Sequence, residues 1–346
     1  MTGPRIAVVG TGANGASIGA DLVRAGLDVT FVEQWPAHVE AMKAHGIRVV
    51  TPEDDVTTKV NAVHLCEVAT LREPFDIVFV LVKAYDTRWA TELIAPLLAN
   101  DGLVVGLQNG MELQPIIDAV GVERAVGSVI EVSSNMFQPG IVHRQSVRQR
   151  SWFAVGGIDP RVQARVSEVA AVLGHAGTVE VSDDIVASKW MKLVVNAAEL
   201  GPSAILGLPL AEAVAVPGMR RFMTEAGKEA VRIAVAAGIR PRPIFGMEQD
   251  AVSDVDAYAE RLFDAVLDHY TLEDTKTTVL QDWMKGRRAE VDQINGLVVR
   301  EQQRLGGSAP ANAVTVELAH RIEAGTLAMS PENAELLFAG LDGVRP

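Results

Sequence analysis

The sequence predicts an α/β domain followed by an all-α domain. Short apolar runs alternate with amphipathic helical patterns as far as residue 181, and helical patterns alone follow residue 184. The chain has 346 residues, which is too long for one ordinary domain. We therefore expect one domain over residues 1–183 and a second, helical domain over residues 184–346.

A glycine-rich turn follows the first apolar run, Ile6–Val9, and precedes a helical pattern. Its G-x-G-x-x-G spacing comprises Gly10, Thr11, Gly12, Ala13, Asn14 and Gly15. In such a turn the first glycine permits a tight bend, the second lets the backbone approach a pyrophosphate, and the third lets the helix pack closely. The start of the helix offers N–H groups to the phosphates. The six residues are therefore predicted to bind a dinucleotide in a Rossmann-like domain; a purely structural turn is the alternative.

The second strand pattern ends in Glu33, roughly 20 residues after the glycine turn. A carboxylate at this position can accept hydrogen bonds from the adenosine ribose hydroxyls and repels a 2′-phosphate. Gln34, Trp35 and Pro36 come next, so no arginine follows directly. The sequence therefore predicts NAD(H) rather than NADP(H); a solvated glutamate at a strand end is the alternative.

Two later strand patterns end in candidate site residues. Phe75–Val82 is followed by Lys83, and Leu103–Leu107 is followed closely by Asn109. Ligands of open α/β sheets bind beyond the carboxyl ends of the strands, so both side chains lie where a ligand is expected. Near the end of this domain, residues 141–147 and 152–155 are predicted to form antiparallel strands at one sheet edge.

The first helix of the second domain carries a polar stripe. Lys189, Lys192, Asn196 and Glu199 recur at three- and four-residue spacing on an otherwise apolar helix. The stripe faces either water or the cleft that is expected between the two domains. In the second case, Lys192 is suited to donate a proton to the alkoxide that forms when a hydride adds to a ketone.

A second group of polar residues lies near the middle of the helical domain. Thr278 and Asp282 are four residues apart and share a helix face. Glu290 is predicted to open the next helix, where the helix dipole stabilises a carboxylate. A structural carboxylate at a helix start is therefore the alternative to a role in a site.

Composition excludes several classes of function. The formal net charge is −13 and no basic tract is present, which argues against nucleic acid and anionic membranes as partners. The seven histidines show no metal-ligand spacing, so no metal is predicted. The one cysteine, Cys66, is expected to be a buried structural thiol, and a signal-peptide pattern is not visible. We expect a cytoplasmic protein.

The order of these motifs resembles that of the ketopantoate reductases (2-dehydropantoate 2-reductases). The resemblance covers nearly the whole chain and comprises the glycine turn, Val82-Lys83, Gln108-Asn109-Gly110, the run from Lys192 to Asn196, and the run from Asp282 through Glu290 to Gly296. It implies reduction of a 2-oxo acid to a 2-hydroxy acid with NAD(P)H, a role in pantothenate biosynthesis and a homodimer.

The resemblance also implies roles for individual residues. Lys192 would protonate the oxygen of the reduced keto group, and Glu290 would hold the substrate hydroxyl. Asn109 would lie between the nicotinamide and the substrate, and Lys83 would lie beside the cofactor. Asn196 would orient the substrate hydroxyl. Thr278, where the family usually has serine, would contact the substrate carboxylate.

The sequence departs from the family pattern in ways that leave the substrate open. Leu200 replaces a second asparagine, Glu199 adds a carboxylate beside it, and Glu33 replaces a basic residue expected of NADPH-dependent members. Another branched or hydroxylated 2-oxo acid, or a sugar-acid-like alcohol, is therefore an alternative to ketopantoate. Two other classes stay open: an NAD-dependent dehydrogenase of another hydroxy acid or of an opine-type substrate, with a histidine base such as His269 or His320, and a non-catalytic dinucleotide-binding protein.

Overall fold

The structure, a computed structural model, describes residues 3–248 and 254–342. The chain divides into two compact units. One comprises residues 1–108 and 112–186, and the other comprises residues 109–111 and 187–346. We call them the α/β unit and the helical unit.

The strands of the α/β unit form two sheets. The larger has eight strands in the order β12-β11-β8-β7-β6-β1-β2-β5, and the smaller has four in the order β4-β3-β10-β9. Neighbours in the larger sheet are parallel, except that β8 and β11 are antiparallel. The strands are β1 Arg5–Val9, β2 Asp28–Glu33, β3 Ile47–Val50, β4 Asp55–Thr58, β5 Asn61–His64, β6 Phe75–Val80, β7 Leu98–Gly106, β8 Ala125–Glu131, β9 Ser134–Gln138, β10 Ile141–Arg144, β11 Trp152–Gly157 and β12 Thr178–Val181.

The central strands of the larger sheet are apolar at successive positions because both faces are buried. In β1, Ile6 and Val8 belong to one hydrophobic core, and Ala7 and Val9 belong to the other. Parallel sheets with both faces covered show such continuous apolar runs. The helices of this unit are α1 Ala13–Arg24, α2 Pro36–His45, α3 Thr87–Ile94, α4 Leu113–Val120, α5 Pro160–Gln163 and α6 Val166–Leu173.

The expectation that residues 141–147 and 152–155 form one antiparallel edge is wrong. β10 lies in the smaller sheet, where it pairs with β9 and β3, whereas β11 lies in the larger sheet between β8 and β12. The hairpin between β9 and β10 turns through Gly140, whose φ of 78° suits glycine. Strand patterns indicate which residues are extended, but they do not indicate with which strand each segment pairs.

The helical unit contains the remaining helices of the described residues. They are α7 Ile185–Ile205, α8 Leu210–Ala215, α9 Met219–Ala236, α10 Val255–His269, α11 Thr278–Met284, α12 Asn295–Arg304, α13 Pro310–Glu323 and α14 Asn333–Asp342. The fold class predicted from the sequence, an α/β Rossmann-like domain followed by helices, is confirmed. Across residues 3–248 and 254–342, no helix is long and apolar enough to cross a membrane.

Cys66 is exposed, so the expectation of a buried thiol is wrong. The expectation came from the apolar neighbours Val63 and Leu65, but the strand β5 already ends at His64. Cys66 follows in a short 3₁₀ helix, Leu65–Thr70, whose side chains no longer alternate between two faces of a sheet.

Candidate active site

The glycine turn has the close approaches that its spacing predicts. Gly10 has a φ of 91°, and a Cβ on Gly15 would lie 2.2 Å from the Gly10 carbonyl oxygen. Gly12 precedes α1, and among the described residues other than Gly12 and its two chain neighbours, no heavy atom lies within 4 Å of the place where its Cβ would be. The backbone at Gly12 is therefore open to a ligand, and a glycine has no side chain with which to cap the first N–H groups of α1. These residues fit the pyrophosphate of a dinucleotide.

Two further members of the turn lie at the start of α1. Ala13 is its first residue, and the Asn14 side-chain oxygen accepts a hydrogen bond from the Ser134 hydroxyl of β9. The Asn14 carbonyl accepts another from the Ser17 hydroxyl at 3.1 Å. Asn14, which is an unusual residue for such a turn, thus connects the first turn of α1 to the smaller sheet.

Glu33 is buried at the end of β2 and binds protein donors with both carboxylate oxygens. One oxygen accepts from the Thr11 N–H at 2.7 Å and from the Thr11 hydroxyl at 3.0 Å. The other accepts from the N–H groups of Gln34 and Trp35 at 2.8 and 2.9 Å. A solvated strand-end glutamate, one of the two alternatives, is therefore wrong, since Glu33 is only 6% exposed. Its four protein donors match the lone-pair sites of a carboxylate.

Lys83 and Asn109 follow neighbouring strands as the sequence predicts. Lys83 is half-buried and precedes a 3₁₀ turn, Ala84–Asp86, after β6. The Gln108 side-chain amide donates to the Val82 carbonyl at 3.0 Å, which ties together the segments that follow β6 and β7. Asn109 is half-buried and groups with the helical unit.

The polar stripe of α7 is buried along its whole length. Lys189, Lys192, Asn196 and Glu199 are each at most 6% exposed. The alternative in which this stripe faces water is therefore wrong. Four buried polar side chains on one helix need partners or ligands, because an unpaired buried polar group costs free energy.

Lys192 lies close to a carboxylate and an aromatic ring. Its Nζ is 3.9 Å from Glu199 Oε1, one of the two oxygens of a carboxylate two turns further along α7. The same Nζ lies 5.5 Å from the centre of the Phe245 ring. Phe245 has a φ of 61°, a left-handed value that is uncommon for an aromatic residue. A buried ammonium held by a carboxylate and a ring face is a preorganised positive charge.

Asn196 and Thr278 carry buried polar atoms that lack protein partners. Within the described part of the chain, neither the Oδ1 nor the Nδ2 atom of Asn196 has a hydrogen-bond partner, and the same holds for Thr278 Oγ1. Buried polar groups in proteins are nearly always hydrogen-bonded, so exceptions call for an explanation. A bound polar ligand is one such explanation.

Two chain-distant segments are anchored on α7 near Asn196. The Thr277 hydroxyl donates to the Leu200 carbonyl at 3.2 Å, and the Asn295 side chain donates to the Ala197 carbonyl at 2.9 Å. These bonds attach the start of α11 and the start of α12 to the same helix. The tertiary structure thereby brings the segment that contains Thr278 and the start of α12 to the helix that carries Lys192.

Glu290 is buried, but it does not open an α-helix as predicted. It precedes a three-residue 3₁₀ turn, Val291–Gln293, and α12 begins only at Asn295. The neighbouring Ala289 N–H donates to the Glu323 carboxylate of α13 at 2.8 Å, which fixes the backbone next to Glu290. Because so short a turn has little dipole, a helix-start role explains the burial of this carboxylate poorly.

Sequence reasoning missed two residues that contact the predicted sites. Phe245 lies in a connection between helices, where no periodic pattern singles it out. His38 is fully buried in α2 and contacts the carbonyl of Thr11. A histidine three residues into an ordinary amphipathic helix gives no signal in the sequence alone.

A Rossmann-like sheet with this glycine turn, followed by a helical unit that buries a lysine and an asparagine amide without a partner among the described residues, defines an oxidoreductase that uses a nicotinamide dinucleotide. The family model described as ketopantoate reductase PanE/ApbA matches residues 6–156, and the model of its C-terminal region matches residues 184–323. Together these matches cover most of the chain, and the chain belongs to the ketopantoate reductase family.

Individual relatives agree with this assignment. A 2-dehydropantoate 2-reductase from Archaeoglobus fulgidus is 31% identical over 93% of this chain and 98% of its own length. A PanE/ApbA family ketopantoate reductase structure from Ralstonia eutropha JMP134 is 30% identical, with a TM-score of 0.76 over 93% of this chain and 99% of that one. D-mandelate dehydrogenase, solved with NADH and anilino(oxo)acetate, has a TM-score of 0.81 over the same shares of the two chains; at 24% identity this likeness concerns the fold.

Proposed function

We propose that this protein reduces a 2-oxo acid to the 2-hydroxy acid with NAD(P)H and that Lys192 donates the proton. The observation that carries the proposal is Asn196, whose buried amide is unpaired among the described residues and lies one helical turn from Lys192. The nicotinamide ring supplies the hydride when it is bound. The 2-dehydropantoate 2-reductases among the relatives support this reaction class.

The proposed mechanism assigns one task to each polar group. Lys192 neutralises and protonates the oxygen of the keto group as negative charge develops on it. Glu290 and Asn196 hold the hydroxyl of the substrate, and Thr278 binds its carboxylate. Asn109 would contact the nicotinamide and the substrate, and Lys83 would contact the cofactor.

The division of labour between the two parts of the chain is also a proposal. Residues 1–183 bind the dinucleotide through the glycine turn, and residues 184–346 bind the substrate and form a homodimer. The buried stripe of α7 supports the substrate role. Family resemblance supports the dimer, and sedimentation of the purified protein tests it. The exposed thiol of Cys66 suits a reducing cytoplasm.

For the substrate we propose 2-dehydropantoate or a related branched or hydroxylated 2-oxo acid. Leu200 is buried where the family has a second asparagine, so one hydrogen bond to a hydroxylated substrate is absent. A site that lacks a polar partner discriminates less against substrates without the matching hydroxyl. We therefore expect this protein to accept apolar branched 2-oxo acids alongside ketopantoate.

A substrate panel tests the proposal. NADH absorbance is followed with ketopantoate, with branched 2-oxo acids that lack the hydroxyl, and in the reverse direction with the corresponding 2-hydroxy acids. Oxidation of NADH by at least one 2-oxo acid is expected, together with a loss of kcat of about 100-fold or more in Lys192→Ala. NADH binding without turnover across the whole panel would instead indicate a dinucleotide-binding protein. Full activity of Lys192→Ala would show that Lys192 is not the proton donor.

A further inference from the structure

Thr11 is the one residue between the first two glycines of the turn, and protein groups hold all its polar atoms. Its N–H and hydroxyl both donate to one Glu33 oxygen, at 2.7 and 3.0 Å. Its carbonyl lies 2.9 Å from His38 Nε2. Thr11 is fully buried. Gly10 and Gly12 are held only through their backbone, by the Gly10 N–H that donates to the Val32 carbonyl and by the Ala16 N–H that donates to the Gly12 carbonyl. Thr11 adds a side-chain bond to Glu33 and a carbonyl contact to His38, which tie the middle of the turn to other parts of the unit.

The hydrogen bonds of His38 define its tautomer. The Gly140 N–H donates to His38 Nδ1 at 2.9 Å, so Nδ1 carries a lone pair. A neutral imidazole has one N–H, which must then lie on Nε2 and donate to the Thr11 carbonyl. His38 is fully buried, and its ring lies 5.8 Å from that of Trp35, centre to centre. One side chain thus joins the glycine turn to the hairpin between β9 and β10.

We propose that His38 is a positioning residue for dinucleotide binding. By fixing the Thr11 carbonyl, it orients the peptide planes of the turn so that the N–H groups at the start of α1 face the pyrophosphate before it arrives. Glycine-rich backbone that is not held samples many conformations, and ordering it on binding lowers affinity. The inference rests on the dinucleotide site of the family and not on the identity of the 2-oxo acid.

The side-chain hydrogen bonds of His38 to Thr11 and to Gly140 can be removed separately. In His38→Gln, the amide nitrogen reaches the place of Nε2 and can still donate to Thr11, while the acceptor for Gly140 is lost. In His38→Asn, the side-chain oxygen lies near the place of Nδ1 and can still accept from Gly140, while the donor to Thr11 is lost. Each variant lacks one hydrogen bond and some ring volume, so the two are matched controls for one another.

The dissociation constant of NADH, measured by fluorescence titration without any 2-oxo acid, decides between a positioning and a structural role. His38→Asn is expected to weaken NADH binding by about tenfold, the loss of roughly one hydrogen bond, whereas His38→Gln stays within about threefold of the wild type. Thermal midpoints are measured in parallel, and similar decreases are expected for both variants. Equal NADH affinity in the two variants would overturn the proposal.

A measurement on the wild type covers the case in which a variant does not fold. Nitrogen NMR of the imidazole is expected to show the proton of His38 on Nε2, with slower exchange of that proton once NADH is bound. A proton on Nδ1, or exchange that NADH leaves unchanged, would contradict the inference. Because this experiment needs no substrate, its failure is distinct from a failure of the proposed reaction.

Discussion

Lys192 and Glu199 form a buried ion pair on one helix, with Nζ and Oε1 3.9 Å apart and both side chains 8% exposed. The separation exceeds that of a hydrogen bond, so the contact is coulombic. Bringing two charges out of water is costly, and their attraction in a dry environment offsets that cost only in part. In the proposed function, this pair holds the proton donor Lys192 in place beside Asn196.

A double-mutant cycle on this pair measures how strongly the two charges interact. We expect Lys192→Met and Glu199→Gln to show a coupling of about 1–3 kcal/mol in the free energy of unfolding, because neither charge is screened by water. The same measurement on Lys228 and Glu260, a more exposed pair between α9 and α10, should give less than about 1 kcal/mol. Equal coupling energies in the two pairs would contradict the expectation that burial strengthens the interaction between Lys192 and Glu199.

Replacing Asn196 should impair the reaction more than the fold. Its amide has no partner among the described residues, so Asn196→Ala breaks no protein hydrogen bond and is expected to cost less than about 1 kcal/mol of stability. We expect kcat/KM for the accepted 2-oxo acid to fall by about 10-fold or more, since a hydrogen bond to the substrate is lost. Steady-state kinetics measures the change in kcat/KM, and chemical denaturation measures the change in stability.

Asn312 is the matched control for Asn196. It is also buried in the helical unit, but its side chain donates to the Ala226 carbonyl and to Glu229 and accepts from Asn295. Asn312→Ala removes three buried hydrogen bonds and should lower stability by about 2–3 kcal/mol. If Asn196→Ala is as destabilising as Asn312→Ala, then Asn196 serves the fold rather than the substrate.

Cofactor preference should depend on the charge of Glu33. The Glu33 oxygens already accept four protein hydrogen bonds, so a further bond to the ribose of the cofactor is expected to contribute little. We expect the negative charge of Glu33 to set the preference instead, because it repels the 2′-phosphate of NADPH. The wild type should bind NADH more tightly than NADPH, and Glu33→Gln should move the ratio of the two dissociation constants by about tenfold toward NADPH. Glu40→Gln, an exposed change in α2, should leave the ratio unchanged. Tighter binding of NADPH by the wild type would refute this account.

Glu229 should give stability a characteristic dependence on pH. It accepts hydrogen bonds from the N–H groups of Ala311 and Asn312 at the start of α13, yet burial raises the pKa of its carboxyl above the usual value. A carboxyl whose pKa is higher in the folded than in the unfolded state binds protons more tightly when folded. The contribution of Glu229 to stability therefore becomes less favourable as pH rises from the pKa of this carboxyl in the unfolded state, about 4.5, through its higher pKa in the folded state.

The difference in unfolding free energy between the wild type and Glu229→Gln isolates this contribution from the other carboxyl groups. Measured by denaturation at several pH values, the advantage of the wild type is expected to shrink as pH rises across that window and to level off above it. An advantage that grows with pH would mean that the hydrogen bonds at the start of α13 outweigh the effect of burial on the pKa.

Most of the fold could be predicted from local patterns. The run Ile6–Val9, the glycine turn and the helix after it follow from apolar burial and from steric demands that act within about 20 residues. Pairing could not be predicted in the same way: β10 and β11 are both extended segments close together in sequence, yet they belong to different sheets. The choice of partner depends on long-range packing, which periodicity does not record.

The sequence by itself determined the α/β-then-helical architecture, the glycine turn and the polar stripe with Lys192, because each of these is a matter of spacing along one strand or one helix. Only the tertiary structure decided that the stripe is buried, that Glu33 binds Thr11, and that His38 joins the turn to the smaller sheet. Burial and hydrogen bonding depend on which chain-distant groups pack against a residue. An amphipathic pattern is the same whether its polar face meets water or another part of the protein.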